Sequence, residues 1–113
     1  MVRDISVRSG NQTSCGGIAK IVVDAEVAAG FEFVDGRAPG DRWTWPDDEL
    51  IEWCLAAVRR GVHAGWVAAG SPPIRIVLRR MLVHPVDSNE HHNEAAGRMA
   101  VAEAVHRLGV GAS

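Results

Sequence analysis

The chain predicts a two-layer α/β sandwich, an α+β arrangement of the form β(3)-α-β-α in one domain over residues 1–113. Three observations predict it. Residues 1–34 hold short alternating apolar segments broken by glycine turns, which is the pattern of strands. Two longer segments, 47–64 and 88–108, carry apolar and small residues at helical spacing behind start signals. Between them runs one more apolar segment, Ile74–Val83, punctuated by arginines, which reads as a strand. A sheet with one apolar face and two helices with one apolar stripe each are buried together when they stack as two layers, both helices on the same face.

Taken in order, Met1–Arg8 alternates, with Val2, Ile5 and Val7 apolar, and predicts a short first strand. Gly10, Asn11 and then Ser14-Cys15-Gly16-Gly17 are turn chemistry. Ile18–Val27 follows as a strand whose Ala19, Ile21, Val23 and Ala25 make one apolar face, with Lys20 and Asp24 on the other. Phe31–Val34 is a short third strand, and three strands in succession predict an antiparallel meander. Residues 35–46 form a loop carrying the unusual Trp43-Thr44-Trp45.

Pro46, Asp47, Asp48 and Glu49 suit the first turn of a helix, where proline lacks a donor that would go unused and acids meet the helix dipole. Leu50, Ile51, Cys54, Leu55, Val58 and Val62 form its stripe, with Gly61 and Gly65 bracketing its end. Gly70-Ser71-Pro72-Pro73 delivers an extended chain into Ile74, where Ile74, Ile76, Leu78 and Leu82 are expected to face inward and Arg75 and Arg79 outward. Asp87 with Glu90 three residues on predicts the N-cap of the last helix. Its Ala95, Met99, Ala102 and Val105 are expected to face the sheet, Met99 meeting Leu55 and Ile76, and Gly109 to stop it.

The net charge of −2 disfavours a strongly basic nucleic-acid binder but conceals a polarised layout. Residues 24–52 hold nine acids against Arg37 and Arg42, a net of −7, whereas 53–86 hold Arg59, Arg60, Arg75, Arg79 and Arg80 and no acid, a net of +5. Such a segment either supports a local positive field or pairs its arginines with the acidic stretch. Cys15 and Cys54 are too few for a disulfide framework. With neither a secretory leader pattern nor a long apolar run, a cytoplasmic protein away from the membrane is expected.

Catalytic constellations are scarce. Gly16-Gly17 lacks the lysine and hydroxyl of a phosphate loop, so no nucleotide is expected to bind and no cofactor is implied. Cys15 has no local orienting group for nucleophilic work. His91 and Glu94 have the spacing of metal ligands on a helix, but His92 leaves their face, so a solvated first turn and no metal are expected. The chain reads as a non-enzyme.

His84-Pro85-Val86-Asp87-Ser88-Asn89-Glu90, followed by Ala95-Ala96-Gly97 and Met99-Ala100, resembles the last strand and helix of domain IV of translation elongation factor G, with its His-x-Val-Asp-Ser-x-Glu signature. Gly30-Phe31-Glu32-Phe33-Val34 resembles that family's Gly-Phe-Glu-Phe-Val strand at matching spacing. The resemblance spans roughly residues 15 to 107, and nothing here resembles a GTPase domain. It implies a ribosomal protein S5 domain 2-like fold with a left-handed β-α-β crossover between residues 34 and 74.

In that family the domain's end enters the decoding site of the small ribosomal subunit through two loops. The resemblance puts them at Gly16, Gly17 and Ile18 and at Arg80 to Pro85, with His84 matching the tip histidine. The family's Gly-Gln-Tyr-Gly-His is here Gly16-Gly17-Ile18-Ala19-Lys20, and its Tyr-Asp-Gly-Ser-Tyr-His is Arg79-Arg80-Met81-Leu82-Val83-His84. A stand-alone domain IV-like protein binding the ribosome or structured RNA through Gly16, Gly17, Ile18, Arg79, Arg80, His84 and Pro85 is the function this implies. The alternative from the residues themselves is a protein-interaction or self-associating (homodimeric) module using Trp43 and Trp45 as an exposed contact.

Overall fold

The structure is a computed structural model and describes residues 1–11 and 16–111; Cys15 lies outside the described residues. Element order is β1 (Val2–Gly10), β2 (Ile18–Val27), β3 (Glu32–Asp35), α1 (Asp48–Ala68), β4 (Ile74–Met81) and α2 (Glu90–Leu108). The four strands form one mixed sheet in the order β1-β2-β4-β3. Inward residues of the sheet and the buried stripes of both helices make a single core, so the molecule is the two-layer sandwich expected.

The predicted meander does not form. β1 pairs antiparallel with β2, but β4 inserts next to β2, and β3 pairs parallel with β4. Ile74, Ile76 and Leu78 of β4 are fully buried, which demands a central position. The four-residue β3, with both terminal acids exposed, is suited to an edge. The β3–α1–β4 passage is therefore a crossover between adjacent parallel strands.

Strand β4 also departs from simple alternation. Val22 is opposite Arg80 and Val23 opposite Leu78, which leaves Arg79 as an extra residue, a β-bulge. The bulge shifts the inward phase by one, so Met81 and Val83 are buried where Leu82 was expected. Arg79 and Arg80, though consecutive, then both leave the core side.

Helix α1 is capped by Asp47, whose carboxylate accepts from Leu50 N at 3.1 Å. It runs past both predicted bracketing glycines, because Gly61 and Gly65 are where α2 approaches. Gly61 backs onto the Glu94 backbone, and Gly65 onto Arg98 and Val101. A Cβ on Gly97 would sit 2.5 Å from Val58 O. The two helices thus run side by side in the same direction with backbones nearly in contact, which only glycine permits.

The start of α2 is corrected as well. Asn89, not Asp87, is the N-cap, accepting from His92 N at 2.8 Å. Asp87 sits in the preceding turn. The buried stripe is Asn93, Ala96, Gly97, Ala100, Val101 and Ala104, while Ala102 and Met99 are exposed and Ala95 and Val105 only partly covered. Alanine and glycine recur on every side of this helix, so apolarity alone could not phase it. Gly109 ends it in the left-handed conformation (φ 69°), as expected.

Leu55→Ala should cost about 2–5 kcal/mol, as truncations of packed core residues do. Met99→Ala should stay within about 0.5 kcal/mol, since Met99 is 42% exposed. Gly97→Ala should destabilise by about 1–3 kcal/mol or more through overpacking. Urea unfolding of the three variants checks all of these.

Candidate nucleic-acid interface

The two loops that the resemblance singles out, some 70 residues apart in the chain, meet at one end of the sheet. Ile18 N donates to Asp87 O at 2.9 Å, and Asn89 Nδ2 donates to Gly16 O at 2.6 Å. Gly17 has φ +87°, and a Cβ there would lie 2.5 Å from Asp87 O, so glycine is required for the loops to close on each other. His92 joins from α2, its Nδ1 2.8 Å from Ser9 Oγ.

His84 stands in the turn between β4 and α2. Its Nδ1 accepts from Val86 N at 3.2 Å and Asp87 N at 3.3 Å, which leaves the proton on Nε2. The Asp87 carboxylate lies 3.4 Å from the same nitrogen. Its backbone N donates to Ser88 Oγ at 2.8 Å, and the side chain is 45% exposed. Pro85 and Val86 beside it are exposed.

Beneath this turn lies a buried polar seam that sequence reading missed. Burial pushes the Cys54 thiol up, partly offset by hydrogen bonds from Ser88 and Asn93. Asn93 is fully buried and donates to Asn89 O at 2.8 Å. An asparagine in a run of alanines reads as a surface residue until the helix is phased.

The arginines expected at the tip are both in ion pairs on the outer face of the sheet. Arg79 Nε donates to Asp24 Oδ2 at 2.8 Å. Burial pushes the Asp24 carboxyl up, but the Asp4 N–H and Arg79 outweigh it and hold its pKa below the usual value. Arg80 makes a two-pronged bond to Asp41 at 2.8 and 2.9 Å and stacks on Trp43, 3.6 Å from the ring centroid. Arg75 bonds Glu26 and Glu32, and Arg60 bonds Glu90 and Glu94. Four of the segment's five arginines are thus ion-paired, the three on β4 with the acidic stretch, while Arg59 lies over the Phe33 ring.

The tryptophan loop continues that sheet edge. Thr44 bridges Val83 in parallel, with Trp45 N donating to Val83 O and Val83 N to Trp43 O, both at 2.9 Å. Trp43 is half-buried under Arg80 and Lys20, so it is no exposed contact. Trp45 is 51% exposed, its ring 6.4 Å from that of His84. The larger hollow nearby, about 360 Å³, has its Asp35 and Asp41 taken by Arg37 and Arg80, and its Thr44 hydroxyl donates to Met81 O. Among the described residues no three ligating side chains gather for a metal, and no helix is long and apolar enough to cross a membrane.

One comparison bears on the fold. A crystal structure of a protein from Thermus thermophilus superposes with a TM-score of 0.62 at 16% identity, covering 88% of this chain and 15% of that one. The likeness is one of fold. The chain matches a small part of a much longer protein, and no family model or curated protein matches its sequence.

The Arg80 guanidinium, with the Trp43 N–H, holds the Asp41 carboxyl down to about 2. A carboxylate with a lowered folded-state pKa stabilises above its unfolded value, near 3.8, and that contribution is lost as pH falls from there through about 2. Asp41→Asn should therefore lower the unfolding midpoint at neutral pH, and the gap to wild type should close between those two values. Acid titration of both proteins by tryptophan fluorescence checks this.

Proposed function

We propose that the chain is a non-catalytic module of the elongation-factor-G domain IV type that binds the small ribosomal subunit, or RNA structured like it, in a translation-related role in the cytoplasm. The left-handed sense of the β3–α1–β4 crossover belongs to the same reading. The observation that carries it is the joining of two distant loops at one end of the sheet, where Gly16, His84 and Pro85 reach solvent while Gly17 and Ile18, expected at the tip, are buried in the join. A half-exposed imidazole can hydrogen-bond or stack on nucleotides, and exposed loops on a rigid sheet are where binding residues sit. Arg79 and Arg80 act here as structural ion pairs rather than as contacts.

Sedimentation with purified small ribosomal subunits at two salt concentrations tests it. The wild type should pellet with the subunits at low salt and less at high salt, and His84→Ala should lose several-fold of that binding. Arg79→Ala with Arg80→Ala should lower the unfolding midpoint slightly, leaving the Asp24 and Asp41 carboxylates without their partners, while the salt dependence of binding stays as in wild type. Absence of pelleting at both salts overturns the proposal. Calorimetry with GTP should show no saturable binding.

A second reading has its own observation. Trp45 and Val86, 51% and 82% exposed, flank His84 and would suit another protein or a second copy of this chain. It wins if Trp45→Ala dissolves a concentration-dependent dimer in sedimentation velocity while subunit binding is absent.

A further inference from the structure

One cluster of cations on the outer face has no acid in ion-pair contact with it among the described residues. Arg8 on β1 and Lys20 on β2 are directly opposite each other in the antiparallel ladder. Both occupy outward positions, since Val7, Ala19 and Ile21 point to the core. Cβ atoms of directly opposed residues lie about 4.5–5.5 Å apart, and like charges so placed repel. Arg42, from the tryptophan loop, lines the same hollow of about 250 Å³, with Ile18, Trp43 and Leu82 as its apolar floor. Among the described residues none of these three cations is in an ion pair, whereas Arg75, Arg79 and Arg80 on the same face all are. Their compensation is partial: the Trp43 ring lies under Lys20 Nζ, 4.4 Å from its centroid, and Arg42 feels the Asp41 carboxylate, whose hydrogen bonds go to Arg80.

We infer that this hollow is a site for the phosphodiester backbone of a single RNA strand leaving the loop end. A fold that pairs Arg75, Arg79 and Arg80 on this face, yet sets two cations across from each other and adds a third, leaves an electrostatic deficit that an anion removes. The hollow is smaller than the roughly 300–1,000 Å³ of small-molecule pockets, so it takes a phosphate and its sugar rather than a whole cofactor. Trp43 already carries Arg80 and Lys20 on its ring, so it backs the cations and is not a stacking platform for a base. Ile18 ties the hollow to the loop end, since its side chain floors the groove and its N–H holds Asp87 O. The inference rests on the RNA-binding reading above and gives the strand its path: past His84 and across β2 and β1, with a backbone-directed, sequence-independent contact.

The test uses the full chain and a fluorescently labelled oligouridylate, read by anisotropy over a salt series, with pyrophosphate as a second probe by calorimetry. The triple variant Arg8→Ser, Lys20→Ser, Arg42→Ser should bind the oligonucleotide about tenfold or more weakly, and its salt slope should fall by about 2, at roughly 0.7 per phosphate contact on a single strand. Arg8→Lys with Arg42→Lys, which keeps the charges, should bind within a few-fold of wild type. Without RNA the triple variant should melt no lower than wild type, because the cross-strand repulsion is gone; a lower midpoint would refute the repulsion. Wild-type affinity and slope in the triple variant overturn the groove, as does failure of the wild type to bind the oligonucleotide, and neither touches the loop-end reading if His84-dependent pelleting with subunits persists. Pyrophosphate binding without oligonucleotide binding overturns the strand in favour of a small phosphorylated molecule. Conversely, groove-dependent oligonucleotide binding without pelleting would leave the groove standing and remove the ribosomal reading.

Discussion

The bulge at Arg79 is the constraint on which the rest of this structure turns. One extra residue in β4 opposite the Val22–Val23 step rotates the strand's phase for everything that follows. Met81 and Val83 enter the core because of it, and Leu82 is released to the outer face, where it floors the basic hollow. The same rotation puts two successive arginines outside the core. Arg79 then reaches back to Asp24 on β2, and Arg80 reaches across to Asp41 in the loop before α1. Past the bulge the Val83 edge is open to pair with the tryptophan loop.

Electrostatics on the outer face follows from that geometry rather than from composition. The acidic and basic stretches of the chain are brought together as neighbouring strands and loops and largely cancel. Beside the loop end Arg8, Lys20 and Arg42, each from a different segment, have no ion pair among the described residues. The residual field is local, close to the loop end, and set in a protein of net charge −2. Such a surface suits a polyanion held along one track better than one gathered over a whole face.

The helical layer supplies the rigidity. Gly61 and Gly97 let α1 and α2 touch backbone to backbone, and α2 in turn packs on β1 and β2. Because Asn89 both caps α2 and binds Gly16 O, the position of that helix fixes where Gly16 and Gly17 lie at the start of β2. Loop geometry at the candidate interface is therefore inherited from helix packing.

Strand and helix identities, the inward faces of Ile18–Val27 and of Ile74–Leu78, the Gly109 stop and the two-layer class were legible in the sequence, because each depends on local period, turn chemistry and capping. Gly16, Gly17 and His84 were singled out through resemblance rather than spacing, and the structure adds that Gly17 is buried where the loops join. Sheet order was not legible: β4 displaces β3 from β2 because burial demands it, and burial is a property of the whole. Nor was the phase of α2, where Asn93 and Gly97 belong to the buried stripe and Met99 does not, since a helix of small residues presents no apolar period to read. The charge segments were visible as sequence, but which arginines would be cancelled depended on a bulge and on strand pairing. Arg8 and Lys20 stand twelve residues apart in the chain, and only the register of the β1–β2 ladder sets them face to face.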